Sequence, residues 1–224
     1  MKKVIIALSL FLSIISQAKE SQCFGTTSNG RIENSVQLPP KGDNFIIYNS
    51  LGSLLGRNFV HSKVYNIVIN SYTKLAKSYP GLKYKYGETG WRHGGEFKPH
   101  KTHKNGLSVD FMVPVIDEKM QPVYFPSDLS NKFGYGINFD NNGKYKGYTI
   151  DFETIALHLV QLHKESLKQG IDIWRVIFAP EYRLKLFQTT QGKYLQENLN
   201  FMKNKAWIRH DEHYHVDFNV KCKN

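Results

Sequence analysis

The strongest constraint on the fold of this chain is a pair of histidine clusters far apart in sequence. The first reads His100-Lys-Thr-His103-Lys-Asn-Gly106-Leu-Ser-Val-Asp110, and the second His210-Asp-Glu-His213-Tyr-His215. Together they hold five of the nine histidines. Asp110 stands inside the apolar run Leu107 to Val113, where a carboxylate is costly unless it is paired or bound to a metal. Imidazole and carboxylate are the ligands zinc takes when cysteine does not compete, and a catalytic zinc needs three of them with one position left open. The two segments therefore predict a fold that carries them together around one cation.

Local geometry supports this. His103 and Asp110 would lie roughly 23 Å apart in an extended chain, but Asn105-Gly106 is a strong turn signal that folds the chain back. If the second cluster is a strand, His213 and His215 share one face and Tyr214 takes the other. That suits two ligands of one metal, or one ligand and one catalytic group. The plainer reading of Asp110 is an outward-facing strand residue. Of the remaining histidines, His61 and His93 read as solvated loop groups. His158 and His163 read as surface or core-edge residues of a helix rather than ligands.

The N-terminus has the form of a secretory signal. Lys2 and Lys3 precede the apolar run Val4 to Ile15, and Ser16-Gln17-Ala18 offers small residues for cleavage after Ala18. Residues 1–18 are expected to be removed, and residues 19–224 to form one domain. The run is short for a membrane anchor, and no cysteine stands at the cleavage point for lipid attachment. The expected destination is across the inner membrane, in the periplasm. The formal charge is +11, or +9 without Lys2 and Lys3. The cations are scattered rather than gathered into one arm, so a nucleic-acid partner is not expected. An anionic wall polymer is compatible with this charge, and so is plain solubility. Cys23 and Cys222 are the two cysteines, and in an oxidising compartment an even pair predicts a disulfide.

Periodicity predicts a short strand over 44–48 and a helix over 62–79 with Val64, Ile67, Val68 and Leu75 inward, ended by Pro80-Gly81. A strand follows at 83–86, then a loop over 87–106 that delivers the first cluster, then a strand over 107–113. Asp151 caps a helix over 152–169 whose apolar positions include Ile155, Leu159, Leu162 and Leu167. A strand is expected over 171–178, a broken helical region from Pro180 to about Met202, and a last strand over 213–220. Helices and strands are interspersed around hairpin-like pairs. The class is α+β, a single domain with a small, mainly antiparallel sheet and flanking helices.

Three stretches resemble the penicillin-insensitive murein endopeptidases, within the wider group of lysostaphin-type peptidases, D-Ala-D-Ala carboxypeptidases and hedgehog-like domains. They are Gly94-Gly95 through His100, His103 and Asp110; His210 through His213 and His215; and Ser28-Asn29-Gly30-Arg31 to Leu38-Pro39. The likeness runs thinly over the rest of the chain, and Glu96, Lys98 and Pro99 depart from the family's approach to His100. The resemblance implies zinc held by His103, Asp110 and His215, with His213 as the catalytic histidine and His100 and His210 as further active-site histidines. His100 is kept as a possible additional metal ligand. The implied reaction is hydrolysis of cross-linking amides between peptidoglycan stem peptides. No Ser-x-x-Lys motif suggests a serine route.

Two other readings stand beside it. A zinc D,D-carboxypeptidase would remove a terminal D-Ala, and a metal-containing wall-binding module would not hydrolyse at all. The general base is also open. Strand alternation favours His213, whereas a bend ahead of the strand would admit Glu212, the position related carboxypeptidases use.

Overall fold

The computed structural model describes residues 19–203, 206 and 208–224, so the expected signal segment 1–18 lies outside the described residues. A five-stranded sheet forms the centre. Its strands lie in the order Asp172–Ile177, His213–Asn219, Ser108–Met112, Tyr84–Tyr86 and Phe45–Ile47. All neighbours are antiparallel except the last pair. The helix Ser62–Ser78 makes the crossover that a parallel pair requires.

Alternation along the strands divides the molecule into two sides. Phe111 and Tyr214 stack at 5.5 Å on the face that the helices Ser62–Ser78 and Phe152–Lys168 cover. Tyr72 and His158 from those helices meet Phe111 edge-on. The opposite face carries Asp110, His213, His215 and Asp217, and it is covered by loops rather than by helices. Register places His215 opposite Asp110, so the two clusters meet across adjacent strands.

The predicted strands and the two long helices are present with ends shifted by a residue or two, and the broken helical region from Pro180 ends at Asn198 rather than near Met202. Val64, Ile67, Val68 and Leu75 are buried as expected, and Asp151 caps its helix through the Thr154 N–H at 3.0 Å. Leu167 is a correction: it is 55 % exposed, because it falls on the solvent side of the helix's last turn. The histidines outside the clusters need correcting too. His93 is exposed as expected, but His61 is buried and caps the helix Ser62–Ser78, its Nδ1 accepting the Lys63 N–H at 3.1 Å. His158 is a core residue, stacked on Tyr72 and hydrogen-bonded to the Tyr214 hydroxyl. Burial pushes its pKa down to about 3, so it packs as a neutral aromatic ring. His163 is buried between Tyr194 and Asp172.

Cys23 and Cys222 are joined in a disulfide. The chain ends are already adjacent there, with the Gly25 N–H donating to the Lys223 carbonyl at 2.8 Å. The bridge closes a loop of 199 residues, for which chain entropy gives a stabilisation of about 5 kcal/mol as an upper figure. Cys23→Ser/Cys222→Ser is expected to lower the melting temperature by several degrees and leave the site geometry intact. Thiol titration of the unfolded, unreduced wild type should find no free sulfhydryl.

Candidate active site

His103 reaches the site because the loop after Tyr86 turns sharply on either side of it. His103 itself has φ 68° and Gly106 φ +76°. A Cβ at Gly106 would meet Ile32 Cδ1 at 2.6 Å and the His61 nitrogen at 3.0 Å, so the turn predicted at Asn105-Gly106 admits glycine alone. The His103 Nδ1 lies 3.0 Å from the Thr89 carbonyl. A carbonyl only accepts, so Nδ1 carries the proton and Nε2 presents its lone pair inward. Nε2 is buried, lies 3.2 Å from Asp110 Oδ1, and has no hydrogen-bond partner.

Asp110 is the hub. Its Oδ1 is 2.8 Å from His215 Nδ1, and its Oδ2 accepts from the Tyr135 hydroxyl at 3.0 Å. His213 Nε2 and His100 Nδ1 each lie 3.9 Å from Oδ2. Burial opposes ionisation of Asp110, but the imidazoles of His103, His213 and His215 outweigh it and hold the carboxyl well below the usual range. His215 is flanked on its other nitrogen by Asp217, with Nε2 to Oδ1 at 2.9 Å. Burial disfavours the imidazolium there too, yet Asp217 and Asp110 raise the pKa of His215 to about 10. Asp217 is held by the Ser108 hydroxyl at 2.6 Å and by the Arg175 fork at 2.6 and 2.8 Å.

The remaining histidines form two walls. His100 places Nε2 2.5 Å from Glu88 Oε2, and Glu88 also accepts from Tyr48 at 2.7 Å and from Arg57. Burial opposes the Glu88 charge, but His100 and Arg57 bring its pKa down to about 2. On the other side the bend at 211–212 ahead of the last strand swings Glu212 inward, and its Oε1 lies 2.8 Å from His213 Nδ1. Strand alternation alone would have pointed it away. Burial raises Glu212 to about 8 and lowers His213 to about 4. His210 does not pair with Glu212. Its Nδ1 faces the Ile208 carbonyl at 2.8 Å and its ring lies 4.5 Å from that of His213.

His100, His210, His213 and His215 line one groove of about 740 Å³ together with Glu88 and Tyr135, and His103 and Asp110 lie buried directly behind that lining. His100, His103 and Asp110 offer ligand atoms within 4.8 Å of one another, and the His103 and His215 rings lie 4.8 Å apart. These donors fit a cation: one orphaned imidazole lone pair, one ionised carboxylate, and a second imidazole whose far nitrogen is fixed by a carboxylate. Sequence reasoning missed Glu88, Tyr135, Arg175 and Asp217. Asp217 had a signal, since it is a second acid in an apolar strand and shares a face with His215. Tyr135 had none, as it comes from an irregular turn where Lys132 and Phe133 both take left-handed backbone angles.

No curated protein matches the chain closely enough to count as a relative. The sequence pattern of one family, described as penicillin-insensitive murein endopeptidase, matches residues 23–224, a span that includes the disulfide and every residue around Asp110. The chain belongs to the penicillin-insensitive murein endopeptidase family.

Proposed function

We propose that the protein is a zinc-dependent endopeptidase that hydrolyses amide cross-links between peptidoglycan stem peptides on the outer side of the inner membrane. The observation that carries this reading is the His103 Nε2, a buried lone pair with no hydrogen-bond partner, aimed at an ionised carboxylate buried behind the lining of a groove. A buried polar atom left in this way costs free energy unless something binds it. His103 through Nε2, Asp110 through its carboxylate and His215 through Nδ1 would hold the ion, with His100 beside them.

Zinc in such a site supplies Lewis acidity toward a carbonyl and lowers the pKa of water. The protein's own groups handle the proton. His213 turns Nε2 toward the centre, and when Glu212 is ionised and accepts the Nδ1 hydrogen of the neutral ring, Nε2 is left free to accept a proton there. The same imidazolium then returns the proton to the leaving amine. Tyr135 fixes Asp110, and His100 and His210 border the groove on either side of it. No serine takes part, so a β-lactam has nothing to acylate.

Digestion of purified cross-linked peptidoglycan tests the reading. Dimeric stem peptides are expected to become monomers, with chelator abolishing the conversion, added zinc restoring it and penicillin leaving it unchanged. Loss of one alanine per chain would mark a carboxypeptidase instead. Retention on the polymer with no products would mark a binding module. Zinc uptake also has a sign with pH. The ligand His215 must be neutral, and its pKa is raised to about 10, so a proton leaves as metal enters at neutral pH. Apparent affinity should rise about tenfold per pH unit toward that value, and calorimetry in buffers of different ionisation enthalpy reads the released proton.

A further inference from the structure

A second recess of about 450 Å³ adjoins the active-site groove and shares Tyr48 and Phe133 with it. Its inner wall holds Lys85. This lysine lies between Tyr84 and Tyr86, whose rings pack toward the helix side through Tyr72 and Phe45, so its own side chain points to the active-site face. Register puts it in one row with that site: Lys85 opposite Met112, and Met112 opposite His213. Two strand spacings separate Lys85 from His213, roughly 10 Å.

Lys85 is an unusual lysine because it is only 7 % exposed and forms no ion pair among the described residues. Its ammonium donates to the Ser127 hydroxyl at 2.7 Å, and Ser127 in turn donates to the Tyr48 carbonyl at 2.8 Å. The acid in the recess is Asp128, whose carboxylate is turned onto the Ser130 and Asn131 N–H groups of its own turn. Lys41 adds a second cation at the rim. Burial pushes Lys85 down to about 8, so the ammonium form still prevails at neutral pH but is poorly compensated. Buried lysines are normally paired, and a fold gains nothing from leaving this one alone.

We propose that Lys85 and Ser127 form a subsite for a free carboxylate of the peptide substrate, placed about 10 Å from the catalytic row. The inference rests on the endopeptidase reading and gives it a specificity element. A carboxylate entering from the groove between Tyr48 and Phe133 supplies the anion that Lys85 lacks. Cross-linked peptides whose carboxylates are amidated lose that contact.

The test compares two synthetic cross-linked peptides that differ only in having free or amidated carboxylates. Wild type is expected to favour the free carboxylate by about tenfold or more in kcat/KM, expressed in KM, as a charged hydrogen bond gained in a buried site implies. Lys85→Met and Lys85→Gln should lower this preference to within about twofold, with metal content and the rate on the amidated peptide unchanged. The melting temperature of Lys85→Met should hold or rise, since a buried uncompensated charge is removed. Absence of a preference in wild type overturns the subsite, and so does a preference that survives both substitutions. If neither peptide is cleaved by any form, the endopeptidase reading has failed, and calorimetric binding of the same two peptides to wild type and Lys85→Gln still decides the subsite.

Discussion

Replacing His213 by alanine is expected to reduce cross-link cleavage by about a hundredfold or more while leaving the bound metal at wild-type stoichiometry. The geometry separates the two roles within one strand. His213 and His215 face the same side, but only His215 lies within hydrogen-bond distance of Asp110; His213 Nε2 stands 3.9 Å away, set back from the ligand cluster. Loss of the His213 ring therefore removes a proton acceptor and leaves His103, Asp110 and His215 in place. Elemental analysis beside a cleavage assay reads both quantities. An active, metal-loaded His213→Ala protein would remove His213 from the mechanism.

Glu212 sharpens this expectation. Its carboxyl lies 2.8 Å from His213 Nδ1, so in the proposed mechanism His213 faces the reaction and Glu212 orients it. Glu212→Gln keeps a hydrogen-bonding group but removes the titrating one. It should cost less than His213→Ala, roughly tenfold, and should shift the pH profile, since an acceptor for the Nδ1 hydrogen remains but no longer titrates. A Glu212→Ala protein that is metal-loaded and dead beside an active His213→Ala would reverse the roles.

Much of the architecture is readable from the residues because local and long-range signals agree. The period of Val64, Ile67, Val68 and Leu75 has one solution, and Asp151 marks a helix start wherever the chain goes next. The pairing of the clusters follows from a different kind of signal. Asp110 and His215 are both uncomfortable in apolar strands, and each relieves the other when the strands are neighbours. What stayed hidden depends on tertiary position alone. His61 looked like a loop histidine, and its burial comes from the N-terminal segment, where the Ser21 hydroxyl accepts the N–H of Ser62 beside it. Glu88 and Tyr135 lie in loops with no periodicity to read. Glu212 defeated strand alternation because it precedes the strand, where a bend rather than the pleat decides direction.

The second large effect concerns the ligand set, where two aspartates of similar burial are expected to behave differently. Asp110→Asn should abolish stoichiometric zinc and with it cleavage, since the amide offers a neutral oxygen where a charged ligand stood and leaves His103 Nε2 without its anion. Asp217→Asn should retain a site of lower affinity, weaker by roughly 10–100-fold, because Asp217 touches the far nitrogen of His215 and acts through its orientation and basicity. Excess zinc should restore cleavage to Asp217→Asn and not to Asp110→Asn. Competition with a chromogenic chelator measures both affinities without reference to activity. The Asp217 variant also removes the one anion that Arg175 pairs with among the described residues, so some loss of stability is expected alongside, readable as a lower melting temperature at unchanged metal load. Equal metal affinity in Asp217→Asn and wild type would show that His215 needs no outer carboxylate. Full zinc occupancy in Asp110→Asn would move the ligand set elsewhere among the histidines, with His100, which shares a ligand-distance cluster with His103, a candidate replacement.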